Sequence, residues 1–205
     1  MASVTGKRKA DLKVVILGAA NVGKTTYIHR YIEGKFQQKI STIGASFSLK
    51  QWGPYNIALW DTAGEERFTG LSSFYCRSAG AAILAYDLID EDSFHSLRAR
   101  FLPLLQAAEP NCLVVVIGMK QDLLTVDNRA VEQKEALMLA KEVNKRTLDK
   151  IPYYEASSVS GHNVENVFEY IFQTCLPQEA KNLDGLHVSD LTLEEKAQTG
   201  KSCSC

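Results

Sequence analysis

No stretch of this 205-residue chain approaches the roughly 20 consecutive apolar residues that a bilayer-spanning helix requires. Its first residues carry Lys7-Arg8-Lys9 with no apolar run before Asp11, which is not the pattern of a secretory leader. The expectation is therefore a chain that works in the cytosol. Net charge is almost absent too: 23 basic against 24 acidic residues leave a formal charge of −1. Such a balance gives no reason to expect nucleic acid as a partner. Cysteine is sparse, and Cys76, Cys112 and Cys175 stand singly, without disulfide-framework or metal-ligand spacing. They read as small, mostly buried thiols. Cys203 and Cys205, at the very end, belong to a different pattern.

What is present is ample material for a core. At 45% hydrophobic residues, 205 positions suit one domain and a tail. Short continuous apolar runs at Leu12–Leu17, 81–86 and 113–117 fit strands covered on both faces. Between and after them, apolar spacings of three and four predict helices over 25–32, 93–108, 132–145 and Val164–Cys175. The fold class expected is α/β, a doubly wound, mostly parallel sheet. Segments 46–51 and 55–60, joined by the turn Trp52-Gly53-Pro54, predict one antiparallel hairpin at its edge. Periodicity fades after Cys175, so the domain is set at 10–176 and a polar, flexible tail at 177–205.

The first strand leads straight into Gly18-Ala19-Ala20-Asn21-Val22-Gly23-Lys24-Thr25, a match to the phosphate-binding pattern G-x-x-x-x-G-K-[ST]. Gly18 and Gly23 let the backbone turn its N–H groups toward an anion. Lys24 can reach the outer phosphates, and Thr25, with Thr26 behind it, opens a helix whose dipole favours negative charge. In a doubly wound sheet the ligand should lie at the carboxyl ends of the strands.

With Asp61-Thr62-Ala63-Gly64 after a strand, Thr42 in Ser41-Thr42-Ile43-Gly44, and Asp122 in Gly118-Met119-Lys120-Gln121-Asp122, the chain resembles the Rab branch of the Ras-superfamily GTPases. The resemblance covers residues 12–175 and the last three. It implies magnesium with bound GTP or GDP, held by Thr25, Thr42 and, through water, Asp61. The Gly64 amide would touch the terminal phosphate. Asp122 would accept hydrogen bonds from the guanine ring N–H and amine, a pair of donors adenine lacks. Lys120 would lie along the base, Phe36 would meet its edge, and Ser157-Ser158-Val159 would direct a backbone amide at the guanine carbonyl. Gly18, Ala20, Asn21, Val22 and Gly23 would surround the phosphates. Lys24, Thr42 and Glu65 would serve catalysis.

Further segments resemble Rab signatures: Ile43-Gly44-Ala45-Ser46-Phe47, Arg67-Phe68, Tyr75-Cys76-Arg77-Ser78-Ala79 and Tyr86-Asp87-Leu88. Phe47, Trp60 and Tyr75 match the aromatic triad of the effector surface. The ending Cys203-Ser204-Cys205 resembles the doubly geranylgeranylated terminus, and two lipid chains attach a protein stably where one does not. Implied partners are an exchange factor, a GTPase-activating protein, effectors and a prenyl-binding chaperone. The implied location is the cytoplasmic face of endosomal, phagosomal or Golgi membranes, with a chaperone-bound cytosolic pool.

Three residues depart from the family pattern. Glu65 replaces the glutamine that orients the attacking water; it lacks an amide donor and adds negative charge near the developing phosphate charge, so slow hydrolysis is expected. Ala20 adds a methyl where Ras often has glycine. Met119 replaces the asparagine that ties base to P-loop, which predicts faster exchange. The short hairpin is similar to the Rab-twenty branch, while the substitutions around Glu65 and Met119 are also similar to the Rab-twenty-four branch. Two functions follow: a membrane-attached switch with slow turnover, or a persistently GTP-bound scaffold. A metabolic P-loop kinase would need an acceptor site and an arginine-rich lid, neither of which the sequence offers.

Overall fold

The computed structural model describes residues 10–38, 42–65, 69–144 and 148–177, with side chains omitted over 69–72. Strands β1 (Leu12–Leu17), β2 (Ala45–Trp52), β3 (Tyr55–Thr62), β4 (Ala81–Asp87), β5 (Leu113–Met119) and β6 (Tyr153–Glu155) form one sheet in the order β2-β3-β1-β4-β5-β6. Every neighbouring pair is parallel except β2 with β3, the edge hairpin. Its register runs to Trp52 opposite Tyr55, so Gly53 and Pro54 alone make the turn. Gly53 has φ 52 at the first central position, the place a type II′ turn reserves for glycine.

Alternation along the central strands assigns the two faces. Val14 and Ile16 of β1 enter one core with α1 (Lys24–Glu33) and α5 (Val164–Cys175), where Tyr27, Phe168 and Phe172 are fully buried. Tyr31 stacks on Phe168 with centroids 3.9 Å apart. Val15 and Leu17 enter the other core with Cys76 of α2 (Thr69–Cys76), Phe94 of α3 (Glu91–Ser96), and Ala136, Leu139 and Ala140 of α4 (Gln133–Val143). Both faces of β4 and β5 are covered, which is why their sequences are continuously apolar.

The helix expected over 93–108 is not continuous. After α3, capped by the Asp90 side chain on the Ser93 amide, the chain makes a π turn over Leu97–Phe101 and a 3-10 turn over Leu102–Ala107. Pro103 is the cause: it has no N–H to give and its ring crowds the carbonyl one turn back. Of the three isolated cysteines only Cys76 is buried; Cys112 and Cys175 are partly exposed, a correction to the buried reading. Three short elements among the described residues escaped sequence reasoning: α2, the 3-10 turn Gln121–Leu123 and the three-residue β6. The tail, with Cys203 and Cys205, lies outside the described residues, as do Ser41, Arg67 and Phe68.

Candidate functional site

Strands β1, β3, β5 and β6 all deliver their carboxyl ends to one cleft of about 540 Å³. The loop from Gly18 to Gly23 wraps its phosphate end. A Cβ on Gly18 would sit 2.1 Å from the Ala85 carbonyl oxygen of β4, so only glycine lets the loop leave the sheet this closely. Ala20, Asn21, Val22 and Gly23 line the cleft, followed by Lys24, Thr25 and Thr26 at the start of α1. Gly64 approaches from β3: a Cβ there would lie 2.3 Å from the Ala19–Ala20 peptide. The loop after β3 is therefore seated directly on the phosphate loop.

Lys24 is nearly buried, and its Nζ donates to the carbonyls of Gly18 at 2.8 Å and Ala19 at 2.7 Å. Burial lowers its pKa to about 8, against the pull of Asp61 and with a smaller push from Arg100. Beside it three oxygens converge. Thr25 Oγ1 donates to Asp61 Oδ2 at 2.6 Å, Thr42 Oγ1 donates to the same atom at 3.0 Å, and the two hydroxyls are 2.7 Å apart. Burial raises the Asp61 pKa, opposed by Thr25, Lys24 and Thr42. Its Oδ1 is buried and accepts no hydrogen bond among the described residues. Two hydroxyls and a carboxylate oxygen with unspent acceptor capacity are the hard donors magnesium prefers.

At the other end, Lys120 adopts the left-handed conformation after β5 and pairs with Asp87 Oδ2 at 2.6 Å. Asp122 accepts 2.6 Å from Ser157 Oγ, which fixes the carboxylate. Ser158 and Val159 line the cleft with Phe36, which is 46% exposed, whereas Ser157 is buried behind them and acts on Asp122. Glu65 lines the cleft next to Gly64. Met119 also lines it but is 1% exposed, its side chain counted in the α5-side core.

The site thus brings together every expected cleft residue, with Gly18, Asp61 and Ser157 as its supports. Sequence reasoning missed Asp87, although a charge closing an otherwise apolar strand at the ligand-bearing end of the sheet was a signal for it. Leu123 and Gln38, also on the wall, carried no signal. Outside the cleft, Phe47, Trp60 and Tyr75 form a continuous aromatic row, with Trp60 5.2 Å from Phe47 and 5.5 Å from Tyr75 between centroids. Phe47 is 54% exposed and Trp60 half-buried.

The family model described as Ras family matches residues 13–177. Ras-related protein Rab-20 of Homo sapiens is 39% identical over 83% of this chain and 86% of its own length. Rab-20 of Mus musculus is 35% identical over 97% and 94%, and Ras-related protein Rab7 of Drosophila melanogaster 36% identical over 87% and 86%. A match that spans both the phosphate loop and the guanine-type segments, joined to this sheet order, has one reading: the chain belongs to the Ras family of small GTPases, as a divergent Rab near Rab-20.

Proposed function

We propose that the protein is a GTP/GDP switch of membrane traffic that hydrolyses GTP slowly and recruits effectors in its GTP form. The observation that carries this reading is the joining of Lys24, the Thr25–Thr42–Asp61 cluster and the Ser157-fixed Asp122 in one cleft. Lys24 exchanges its carbonyl partners for the outer phosphates, and the amides of 20–24 carry the rest of the charge. Asp122 selects guanine. Magnesium, when bound, would neutralise phosphate charge, with Thr25 and Thr42 as ligands and Asp61 acting through water. Thr42 lies on the loop before β2 and Gly64 on the loop after β3, so losing the third phosphate frees both loops and alters the surface around Phe47, Trp60 and Tyr75.

Hydrolysis needs a group that orients water in line with the third phosphate. Glu65 stands there, able to accept from water but not to donate to the transition state. Lipid chains on Cys203 and Cys205 would hold the switch on an endosomal, phagosomal or Golgi membrane, and a prenyl-binding chaperone would extract the GDP form; an exchange factor and a GTPase-activating protein set the cycle. In the second reading the same residue makes turnover negligible and leaves a GTP-bound scaffold. Single-turnover GTP hydrolysis, compared with Glu65→Gln, separates the two. The switch predicts measurable turnover in the unaltered protein, raised roughly tenfold or more by glutamine; no turnover before substitution, and rescue by it, would establish the scaffold.

A further inference from the structure

The π turn at Leu97–Phe101 does something a regular helix would not. Such a turn holds one extra residue and recurs at functional positions in helices. Here Leu97 and Phe101 both point into the core, while the residues between them reach in different directions. Arg98 pairs in bidentate fashion with Glu142 of α4. Arg100, partly buried, sends Nη2 to the carbonyl oxygen of Gly64 at 3.3 Å. Its guanidinium also lies 5.1 Å from the Phe101 ring.

That carbonyl belongs to the peptide linking Gly64 to Glu65. The Cα of Gly64 is already pressed against the Ala19–Ala20 peptide, with no room for a methyl group. One end of the short link is therefore fixed by packing, and its rotation about the Cα is fixed by a donor from the π turn. The direction in which the Glu65 side chain leaves the backbone follows from that rotation.

We infer that Arg100 is a positioning residue for the reaction: through the Gly64 carbonyl it holds Gly64 in the orientation in which its amide contacts the third phosphate, and it aims Glu65. The inference rests on the GTPase reading above. A brace on this peptide matters only when a third phosphate is present, so its removal separates GTP from GDP. A merely structural arginine would affect both alike.

The test uses the full chain with Arg100→Met, which keeps the stem over Phe101 and deletes the donors, and Arg100→Gln, which restores a neutral amide donor. Affinities for GDP and for a non-hydrolysable GTP analogue are measured with magnesium, alongside single-turnover hydrolysis. Arg100→Met should lower analogue affinity and turnover by about tenfold, the size expected for a hydrogen bond from a charged donor, and leave GDP affinity unchanged. Arg100→Gln should recover most of that loss. An unchanged ratio of analogue to GDP affinity, an equal loss of both, or no recovery with glutamine would each overturn the inference. If Arg100→Met does not fold, the ratio in Arg100→Gln decides alone: near wild type it stands, tenfold reduced it falls. Wild-type protein that retained no guanine nucleotide would instead overturn the functional reading and this inference with it.

Discussion

Met119 closes β5 with its side chain in the core and its edge on the cleft, beside Lys120 and Asp122. A thioether is a weak acceptor and no donor, so the link between base-side loop and phosphate loop that an amide would make is missing here. Each such bond is worth about 1 kcal/mol, or roughly fivefold in an equilibrium constant. Met119→Asn should therefore slow GDP release by about fivefold or more, measured with a fluorescent nucleotide chased by excess GDP. An unchanged release rate would mean that Lys120, Asp122 and the phosphates alone set the lifetime. The Lys120–Asp87 pair is well placed for that role, since Asp87 also accepts from the Ile89 amide and cannot swing freely.

Elements were legible where packing enforces a period and illegible where it does not. Strands β1, β4 and β5 announced themselves because both faces are covered, and α5 was read to the residue because five of its side chains are buried on one face. The helix over 93–108 misled because its apolar spacing persists through Pro103, while the backbone changes type twice. Strand β6 is too short for alternation to register. Its identity comes from partners distant in sequence, β5 alongside it and Arg129, both of whose terminal nitrogens Glu155 takes at 2.9 and 3.0 Å, while within the strand Glu155 also accepts from the Tyr153 hydroxyl at 2.7 Å. The motif residues of the cleft were legible, but Gln38 and Leu123 on its wall, the support of Asp122 by Ser157 and that of Gly64 by Arg100 were not, because none has a local sequence mark.

The Glu155 network makes a pH prediction for β6. Burial would raise the Glu155 pKa, but the Arg129 and Tyr153 hydrogen bonds and the Arg129 charge outweigh it, and the net shift is downward. A depressed carboxylate pKa stabilises the fold above the unfolded value near 4.3 and loses that contribution as pH falls through the folded value. Glu155→Gln should thus cost about 2 kcal/mol at pH 7, less than for a fully buried pair because Arg129 is partly exposed. The gap to wild type should narrow as pH falls below about 4. Urea titrations at several pH values read it directly, and a gap independent of pH would exclude the ionised pair as its source.

Across the whole molecule, the proposed switch predicts a response to nucleotide confined to the loops at the carboxyl ends of the strands. Thr42, Gly64 and Glu65 sit at loop ends, whereas α1 and α5 share a core with stacked Tyr31 and Phe168. Replacing bound GDP by a GTP analogue should slow amide exchange at 42–45 and 63–65 by about tenfold or more while leaving β5 and α5 unchanged, as seen by hydrogen exchange with peptide resolution. Equal protection in both states would argue against a switch.

The short hairpin gives this asymmetry a mechanical side. Trp52 at its tip stacks near Tyr55, packs 5.5 Å from Phe172 and donates Nε1 to Glu169 at 2.9 Å, so the far end of β2 is lashed to α5. Strand β2 is also one edge of the sheet. Helix α5 is the last described element before the chain runs on to its end. Helix α5 and the edge strand are thus coupled through one indole. A body seated along β2 would ride at a set angle to α5, like a load bolted to its mast.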